Sequence, residues 1–141
     1  MPDLLLRLGI LVLALVLIAV LVRGGRSFVA RQKRLALSAA PDAGATAAGK
    51  VRILAFSSVD CTQCHTLQEP TLRRLQALRG EEVDVVEIDA PAAPDLAKRY
   101  RILTVPSTVI LAPTGEAQAI NYGFANLHKL QTQIDAALAS A

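Results

Sequence analysis

Residues 51–65 read VRILAFSSVDCTQCH and carry the strongest signal of the fold. They contain Cys61 and Cys64, the only two cysteines in a chain of 141 residues. The apolar run before them, residues 51–57, has the composition of a buried strand, and residues 66–78 after them have helical spacing. Two thiols at this spacing suit either reversible disulfide chemistry or the ligation of a soft metal or a haem.

The two cysteines are not equivalent in this arrangement. Cys61 is expected near the N-terminus of the helix, where unpaired backbone N–H groups and the helix dipole stabilise an anion. This environment lowers the pKa of a thiol and makes its thiolate available as a nucleophile. Cys64 lies one turn deeper, where it can attack a disulfide formed at Cys61. We therefore predict that Cys61 is accessible and that Cys64 is shielded.

The residues from 50 onward alternate between strand-like and helical patterns. Strands are predicted at residues 51–57, 83–89, 107–111 and 117–122, and helices at 61–79, 94–100 and 126–138. Asn126 is the expected N-cap of the last helix. The order βαβαββα combines one parallel crossover with a final hairpin, which predicts an α/β domain.

The first predicted helix of this domain has one apolar face. Its members recur at three- and four-residue steps and are expected to face the core: Leu67, Thr71, Leu72, Leu75 and Leu78. Three basic side chains are predicted to face solvent: Arg73, Arg74 and Arg79. Pro70 lies inside this helix and is expected to kink it, because proline has no N–H to donate.

Residues 51–139 resemble the thioredoxin family. The segment Thr104-Val105-Pro106-Ser107-Thr108 is similar to the family segment in which a proline follows a cis bond, and Pro106 lies 42 residues after Cys64. Gly115 and Gly123 match the turn of the last hairpin and the glycine before the final helix. The resemblance begins at the family's second strand, which implies a four-stranded mixed sheet without the first strand and helix.

The resemblance implies a thiol–disulfide oxidoreductase that acts on protein substrates. Cys61 and Cys64 would be the catalytic residues, and Val105 and Pro106 would bind the substrate backbone. No metal or cofactor is implied beyond the redox-active disulfide itself. The implied partners are protein thiols or disulfides, and an electron donor or acceptor such as a thioredoxin-reductase-like protein or a membrane redox partner.

Several residues depart from the family pattern. Asp60 stands where the family usually has tryptophan, and Ala55 stands where it has a buried aspartate that assists proton transfer to the inner cysteine. Pro70 lies one position later than the family's helix proline. A negative Asp60 would raise the pKa of the Cys61 thiol, whereas a protonated His65 would lower it. Asp60 and His65 are therefore candidate modulators of the dithiol.

Other interpretations of the cysteine pair remain open at this point. Residues 61–65 also fit the C-x-x-C-H pattern of c-type haem attachment, although the sixth ligand would have to be Met1 or His128. Zinc would require three ligands from this short segment. A structural disulfide across so small a loop would add little stability. The remaining alternative is a redox-inert thioredoxin-like module that binds partners in a membrane complex.

A nearly unbroken apolar run precedes the domain at residues 4–22. Its length as a helix is roughly 28 Å, close to the ~30 Å hydrocarbon core of a bilayer. We predict an uncleaved single-pass transmembrane anchor at residues 1–23. A basic juxtamembrane segment and flexible linker come next at residues 24–49, and the thioredoxin-like domain occupies residues 50–141.

The positive charge is concentrated next to the predicted anchor. Residues 1–49 carry six Lys and Arg against two acids, whereas residues 50–141 carry nine against ten. The basic excess therefore indicates contact with lipid headgroups and excludes a nucleic-acid surface on the domain. The positive-inside rule predicts a cytoplasmic domain, with an extracytoplasmic location as the alternative.

Overall fold

The computed structural model describes residues 2–37 and 49–140. These residues form two compact units that divide between Arg34 and Leu35. The predicted linker lies outside the described residues except for residues 24–37 and Gly49. The boundaries proposed for the anchor, the linker and the domain stay a prediction.

One long helix, α1, spans Pro2–Leu37, and its residues up to Arg34 belong to the N-terminal unit. Its stretch Leu6–Leu37 is long and apolar enough to cross a membrane. Between Leu6 and Leu35 its large apolar side chains are exposed, as with Leu13 at 69 % and Leu21 at 67 %. The helix also continues through the basic segment after residue 23, so that segment is helical up to Leu37.

The C-terminal unit is built on a mixed sheet of four strands. These are β1 (Val51–Ser57), β2 (Val83–Asp89), β3 (Ser107–Leu111) and β4 (Ala117–Tyr122), in the order β2-β1-β3-β4. Strands β1 and β2 are parallel, and the β1–β3 and β3–β4 pairs are antiparallel. Helices α2 (Glu69–Arg79), α3 (Pro94–Arg99) and α4 (Leu127–Ala139) complete the predicted βαβαββα order.

Both faces of the sheet are buried, which explains the almost continuous apolar run of β1. On one face, Ile53 and Ala55 pack with residues of α2 and α4, including Leu75 and Ile134. On the other face, a second cluster contains Leu54, Phe56, Ile88, Tyr100 and Val109. Helix α4 begins as predicted, because the Asn126 side chain accepts a hydrogen bond from the Lys129 backbone N–H at 2.9 Å.

The helix after the cysteines differs from the sequence-based prediction. Residues Cys64–Gln68 form a π-helical turn, in which the Glu69 N–H donates to the Cys64 carbonyl. The irregularity expected from Pro70 therefore takes the form of a wide turn just before it, and Pro70 occupies the first turn of α2, where its missing N–H is tolerated.

This π-helical turn changes which side chains reach the core. Leu72 and Leu75 are buried as predicted, but Leu67 is 45 % exposed and Leu78 is 59 % exposed. The prediction was wrong for these two leucines. The extra residue in the wide turn rotates Gln68, in place of Leu67, towards the interior. Leu78 lies in the last turn of α2, beyond the region that packs on the sheet.

Arg79 was also predicted wrongly as a solvent-facing residue. Its side chain is only 19 % exposed and binds Glu82 and Asp135, each at 2.6 Å. The hydrogen bonds to Glu82 and then to Asp135 raise the pKa of Arg79 above its ordinary value. This arginine therefore connects the end of α2 to α4.

Candidate active site

The two cysteines form a disulfide between the end of β1 and the π-helical turn. The sulfurs of Cys61 and Cys64 are 2.08 Å apart, and their Cα atoms are 5.3 Å apart. A tight turn leads into the pair, because the Cys61 N–H donates to the Ser58 carbonyl at 3.1 Å. The strand therefore delivers Cys61 directly to the start of the helix.

The two cysteines differ in exposure in the predicted sense. Cys61 is partly exposed, whereas Cys64 is only 3 % exposed. The Cys64 backbone N–H donates to the Cys61 sulfur at 3.2 Å. A helix N-terminal N–H at this distance would also stabilise a thiolate on Cys61 after reduction.

The proline segment lies beside the dithiol, as the resemblance implied. The Val105–Pro106 bond is cis, and Pro106 is buried and lines the same groove as Cys64. The Pro106 carbonyl accepts a hydrogen bond from the Gly123 N–H at 2.8 Å, with Gly123 at a φ of 87° that favours glycine. Val105 does not line this groove and packs against the core on the other face of the sheet.

His65 connects the loop before the cysteines to the helix after them. Its Nε2 lies 3.2 Å from the Val59 carbonyl oxygen, and its Nδ1 lies 3.3 Å from a Glu69 carboxylate oxygen. A carbonyl and an ionised carboxylate can only accept hydrogen bonds, so both contacts are satisfied at once only when both ring nitrogens carry a proton. The bond to Glu69, followed by the bond to Val59, raises the pKa of His65 above its ordinary value.

The Glu69 carboxylate binds two side chains. Besides its contact with His65, it accepts a hydrogen bond from Arg73 at 2.7 Å. His65 lies next in sequence to Cys64, and its positive charge, when the ring is protonated, favours the thiolate form of a cysteine. Asp60, the other candidate modulator, is exposed beside Cys61 and forms no ion pair within the described part of the chain.

Gln68 is a residue of this region that the sequence pattern did not identify. It is 3 % exposed, its Oε1 accepts from the Ala125 N–H at 2.9 Å, and its Nε2 donates to the Ala125 carbonyl at 3.2 Å. It thereby ties the turn that carries Cys64 to the loop before α4. The sequence pattern does not indicate that Gln68 is buried, because a regular α-helix would direct Leu67 inward and Gln68 outward. Only the π-helical turn directs Gln68 into the interior.

A groove that is open to solvent lies next to Cys64. Its lining comes from β1, β2, the helix and the proline segment: Ala55, Phe56, Ser57, Cys64, His65, Gln68, Glu69, Leu72, Glu87 and Pro106. Ala55 contributes only a methyl group at the place where the resemblance implies a carboxylate. Glu87, which was not identified from the sequence, is the residue of β2 that pairs with Ala55. Counting the register from the two strand starts would have indicated it.

The alternatives that involve a metal or a haem can be compared with this geometry. Among residues 2–37 and 49–140, no three His, Cys, Asp or Glu side chains are grouped as metal ligands. In the disulfide, neither cysteine sulfur is free for a thioether or a metal bond. His128 is exposed on α4, on a different element from the cysteines.

Known proteins resemble this chain over its C-terminal unit. A family profile described as "Thioredoxin-like domain" matches residues 42–138. The chain is similar in structure to thioredoxin-2 of the malaria parasite, described as "a component of malaria parasite protein secretion machinery", with 20 % identity and a TM-score of 0.60. That match covers 67 % of this chain and 89 % of the thioredoxin-2 chain.

Two further solved structures are similar. The germline-specific thioredoxin Deadhead from Drosophila melanogaster has 26 % identity and a TM-score of 0.56, and the match covers 63 % of this chain and 82 % of that chain. Mitochondrial thioredoxin 3 from Saccharomyces cerevisiae, in its oxidised form, has 24 % identity and a TM-score of 0.55, with 63 % and 80 % covered. A search of curated protein sequences found no match.

The family match and the disulfide together define the general class of the protein. The profile covers well over half of the chain, and the similar structures have the same fold. The fold and the Cys61–Cys64 disulfide support thiol–disulfide oxidoreductase chemistry in general. The chain belongs to the thioredoxin-like domain family.

Proposed function

We propose that this protein is a membrane-anchored oxidoreductase that exchanges disulfides with protein substrates through Cys61 and Cys64. The observation that carries the proposal is the pair of unequal sulfurs. Cys61 is partly exposed at the start of the helix, and Cys64 is buried behind it, beside Pro106. One sulfur can therefore meet a substrate while the other is reserved for the second step.

The reductive cycle would run in two exchanges. In the first, the Cys61 thiolate attacks a substrate disulfide, a mixed disulfide forms, and one substrate sulfur leaves as a thiolate. In the second, the Cys64 thiolate attacks the Cys61 sulfur, the mixed disulfide breaks, and the second substrate sulfur leaves. Two electrons pass to the substrate, and the Cys61–Cys64 disulfide is the oxidised product. A thiol donor, from a reductase-like or membrane partner, would then reduce it.

The substrate would dock where the cis segment meets the dithiol. Pro106 lines the groove at Cys64, and the carbonyl of Pro106 is fixed by Gly123. Val59, two residues before Cys61, is 83 % exposed and offers further apolar surface near the pair. We propose that an extended substrate segment lies beside Val105 and Pro106, with its disulfide against Cys61.

The N-terminal helix would hold this domain at a bilayer. The apolar part of α1 supports insertion, and five basic residues come after it: Arg23, Arg26, Arg31, Lys33 and Arg34. This flank favours a cytoplasmic domain, in which the dithiol would act as a reductant. On the other side of the membrane the dithiol would serve oxidation or isomerisation.

Protease accessibility of the domain in intact cells tests directly on which side of the membrane the domain lies. Digestion from outside would contradict the cytoplasmic assignment.

Turnover by the full chain in detergent micelles tests the proposed activity. Reduction of insulin by dithiothreitol should be accelerated by the wild type, and Cys61→Ser should lower the rate to the uncatalysed background. His128→Ala, a change on an exposed residue of α4, is the control and should keep the wild-type rate.

An absence of turnover with every reductant would contradict the proposal. If the inactive chain also bound a membrane partner stably, the result would favour a redox-inert binding subunit. Ala55 and Asp60, which replace the carboxylate and the tryptophan of the family pattern, are the observations that favour this second function.

A further inference from the structure

The buried cysteine needs a route for its proton. Cys64 is 3 % exposed, yet its thiol has to ionise before it can attack a mixed disulfide on Cys61. Burial in an apolar environment opposes this ionisation. Ala55, which packs beside the groove, carries no acid–base group. A titratable side chain elsewhere in the groove has to receive the proton.

We propose that Glu87 is the residue that accepts the proton of the Cys64 thiol, through the water that fills the groove. This role rests on the proposed thiol–disulfide exchange and deepens it. Glu87 and Cys64 line the same groove, which is open to solvent. A groove that opens to solvent and carries several polar side chains admits water molecules that can relay a proton.

The register of the sheet explains how Glu87 reaches this position. Ala55 of β1 is paired with Glu87 of β2, and paired residues of parallel strands project to the same side of a sheet. Ile53 and Val85, the preceding residues on that side, belong to the core packed under α2. The carboxylate that Ala55 lacks is therefore supplied by the neighbouring strand.

The other ionisable and amide side chains of the groove already have partners. Gln68 uses its amide oxygen and nitrogen on the backbone of Ala125. His65 and Glu69 bind each other, and the second ring nitrogen of His65 contacts the Val59 carbonyl. The Glu87 side chain forms no hydrogen bond or ion pair within the described residues, so its carboxylate is available.

The location of β2 also allows the proton to pass from Glu87 to solvent. In the order β2-β1-β3-β4, β2 is an edge strand, and Glu87 is exposed there. His65 and Glu69 on the helix line the same groove as Glu87, and Asp89 lies on the same strand. Asp89 lies two residues further along the same face, outside the groove.

The proton and electron balance of the step is simple. The Cys64 S–H bond breaks, its proton passes through water to the Glu87 carboxylate, and the Cys64 sulfur keeps the electron pair. This thiolate forms a bond with the Cys61 sulfur, and the bond between Cys61 and the substrate breaks. The substrate sulfur leaves as a thiolate, which the protonated Glu87 or bulk water then protonates.

The test uses the reaction of the reduced full chain, in detergent micelles, with 5,5′-dithiobis(2-nitrobenzoate). Attack by Cys61 releases one coloured thiolate, and attack by Cys64 on the mixed disulfide releases a second. The two steps are resolved by stopped flow. Near neutral pH, Glu87→Gln should slow the second release by roughly tenfold or more and leave the first nearly unchanged, as expected for loss of a proton acceptor. Glu81→Gln, an exposed residue before β2, should leave both unchanged.

The pH dependence separates proton transfer from a structural effect. The defect of Glu87→Gln should shrink as the pH approaches the range in which Cys64 ionises unaided. Adding Ala55→Asp to Glu87→Gln should restore part of the second release. An unchanged second release in Glu87→Gln, or a defect of equal size at every pH, would overturn the role of Glu87. A wild type that shows no second release would overturn the proposed function itself, and this inference with it.

Discussion

Cys61 and Cys64 are three residues apart, but their surroundings differ in almost every physical respect. Cys61 is partly exposed, next to Asp60 and the exposed Val59, and it receives a hydrogen bond from a helix N-terminal N–H. Cys64 is buried, in a turn that Gln68 fastens to the loop before α4. Cys61 is therefore accessible from solvent, whereas Cys64 lies in the protein interior.

The spacing of a C-x-x-C pair therefore does not by itself define the roles of its sulfurs. Part of the difference arises from the π-helical turn that begins at Cys64 and directs Gln68 inward. The rest of the difference arises from the groove next to Cys64, whose lining includes Glu87 on the edge strand β2. Changes on the Cys64 side should affect stability and the second chemical step, whereas changes on the Cys61 side should affect reactivity.

The largest effect is expected on the interior side, at Gln68. Gln68→Leu would keep the volume but leave the buried N–H and carbonyl of Ala125 without partners. Each unsatisfied group is costly, so the free energy of unfolding should fall by about 2 to 4 kcal/mol. Urea unfolding of the chain in detergent micelles measures the change.

The control for this prediction is Gln76→Leu, a change of the same chemistry on an exposed residue of α2. It should alter the free energy of unfolding by no more than about 0.5 kcal/mol. Equal effects of the two substitutions would mean that the Gln68–Ala125 pair does not hold the Cys64 turn.

A smaller effect on stability, which depends on pH, is expected at His65. This residue follows Cys64 in the sequence and contacts the carbonyl of Val59, which precedes Cys61. The folded protein raises the pKa of His65, so the folded state binds the proton more tightly than the unfolded chain does. Its contribution to stability should be fully present below the unfolded pKa of ~6.5 and should disappear as the pH rises through the higher folded value. Urea midpoints of wild type and His65→Ala should differ more at about pH 5.5 than at about pH 8.5.

His128→Ala, which changes the other histidine of the chain, is the matched control and should not reproduce this pH dependence. A difference between wild type and His65→Ala that is the same at both pH values would contradict the imidazolium bridge from Val59 to Glu69.

The smallest effect is expected on the exterior side, at Asp60. A single exposed carboxylate next to Cys61 opposes formation of the thiolate, but water and salt weaken this interaction. Asp60→Asn should therefore raise the alkylation rate of reduced Cys61 by only about twofold near neutral pH. Iodoacetamide labelling in a Cys64→Ser background isolates Cys61, and Asp95→Asn on α3 serves as the control. A lower rate after Asp60→Asn would contradict the electrostatic role of Asp60.

Much of the fold could be predicted from the sequence because its signals are local. The bounds of β2, β3 and β4 agree with runs of alternating or β-branched residues between turn residues. Asn126 was a recognisable N-cap, and the proline segment was recognisable from its resemblance to the thioredoxin family. The inner face of α4 is indicated by leucine and isoleucine at helical spacing.

The features that escaped prediction depend on structure that is not local. An α-helical wheel places Leu67 in the core and Gln68 outside, and only a wide turn before Pro70 exchanges them. Arg79 looks like a solvent-facing residue until α4 brings Asp135 to it. Glu87 has no local signal, because its importance comes from the register with Ala55.

Trapping of a mixed disulfide is the sharpest test of whether Cys61 attacks and Cys64 resolves. The reduced full chain with Cys64→Ser, and separately with Cys61→Ser, would be mixed with a disulfide-containing protein and mapped by mass spectrometry. Covalent adducts should accumulate on Cys61 in the first variant and be nearly absent from Cys64 in the second, because Cys64 is buried. Equal adducts on both cysteines, or none on Cys61, would contradict this division between the two sulfurs.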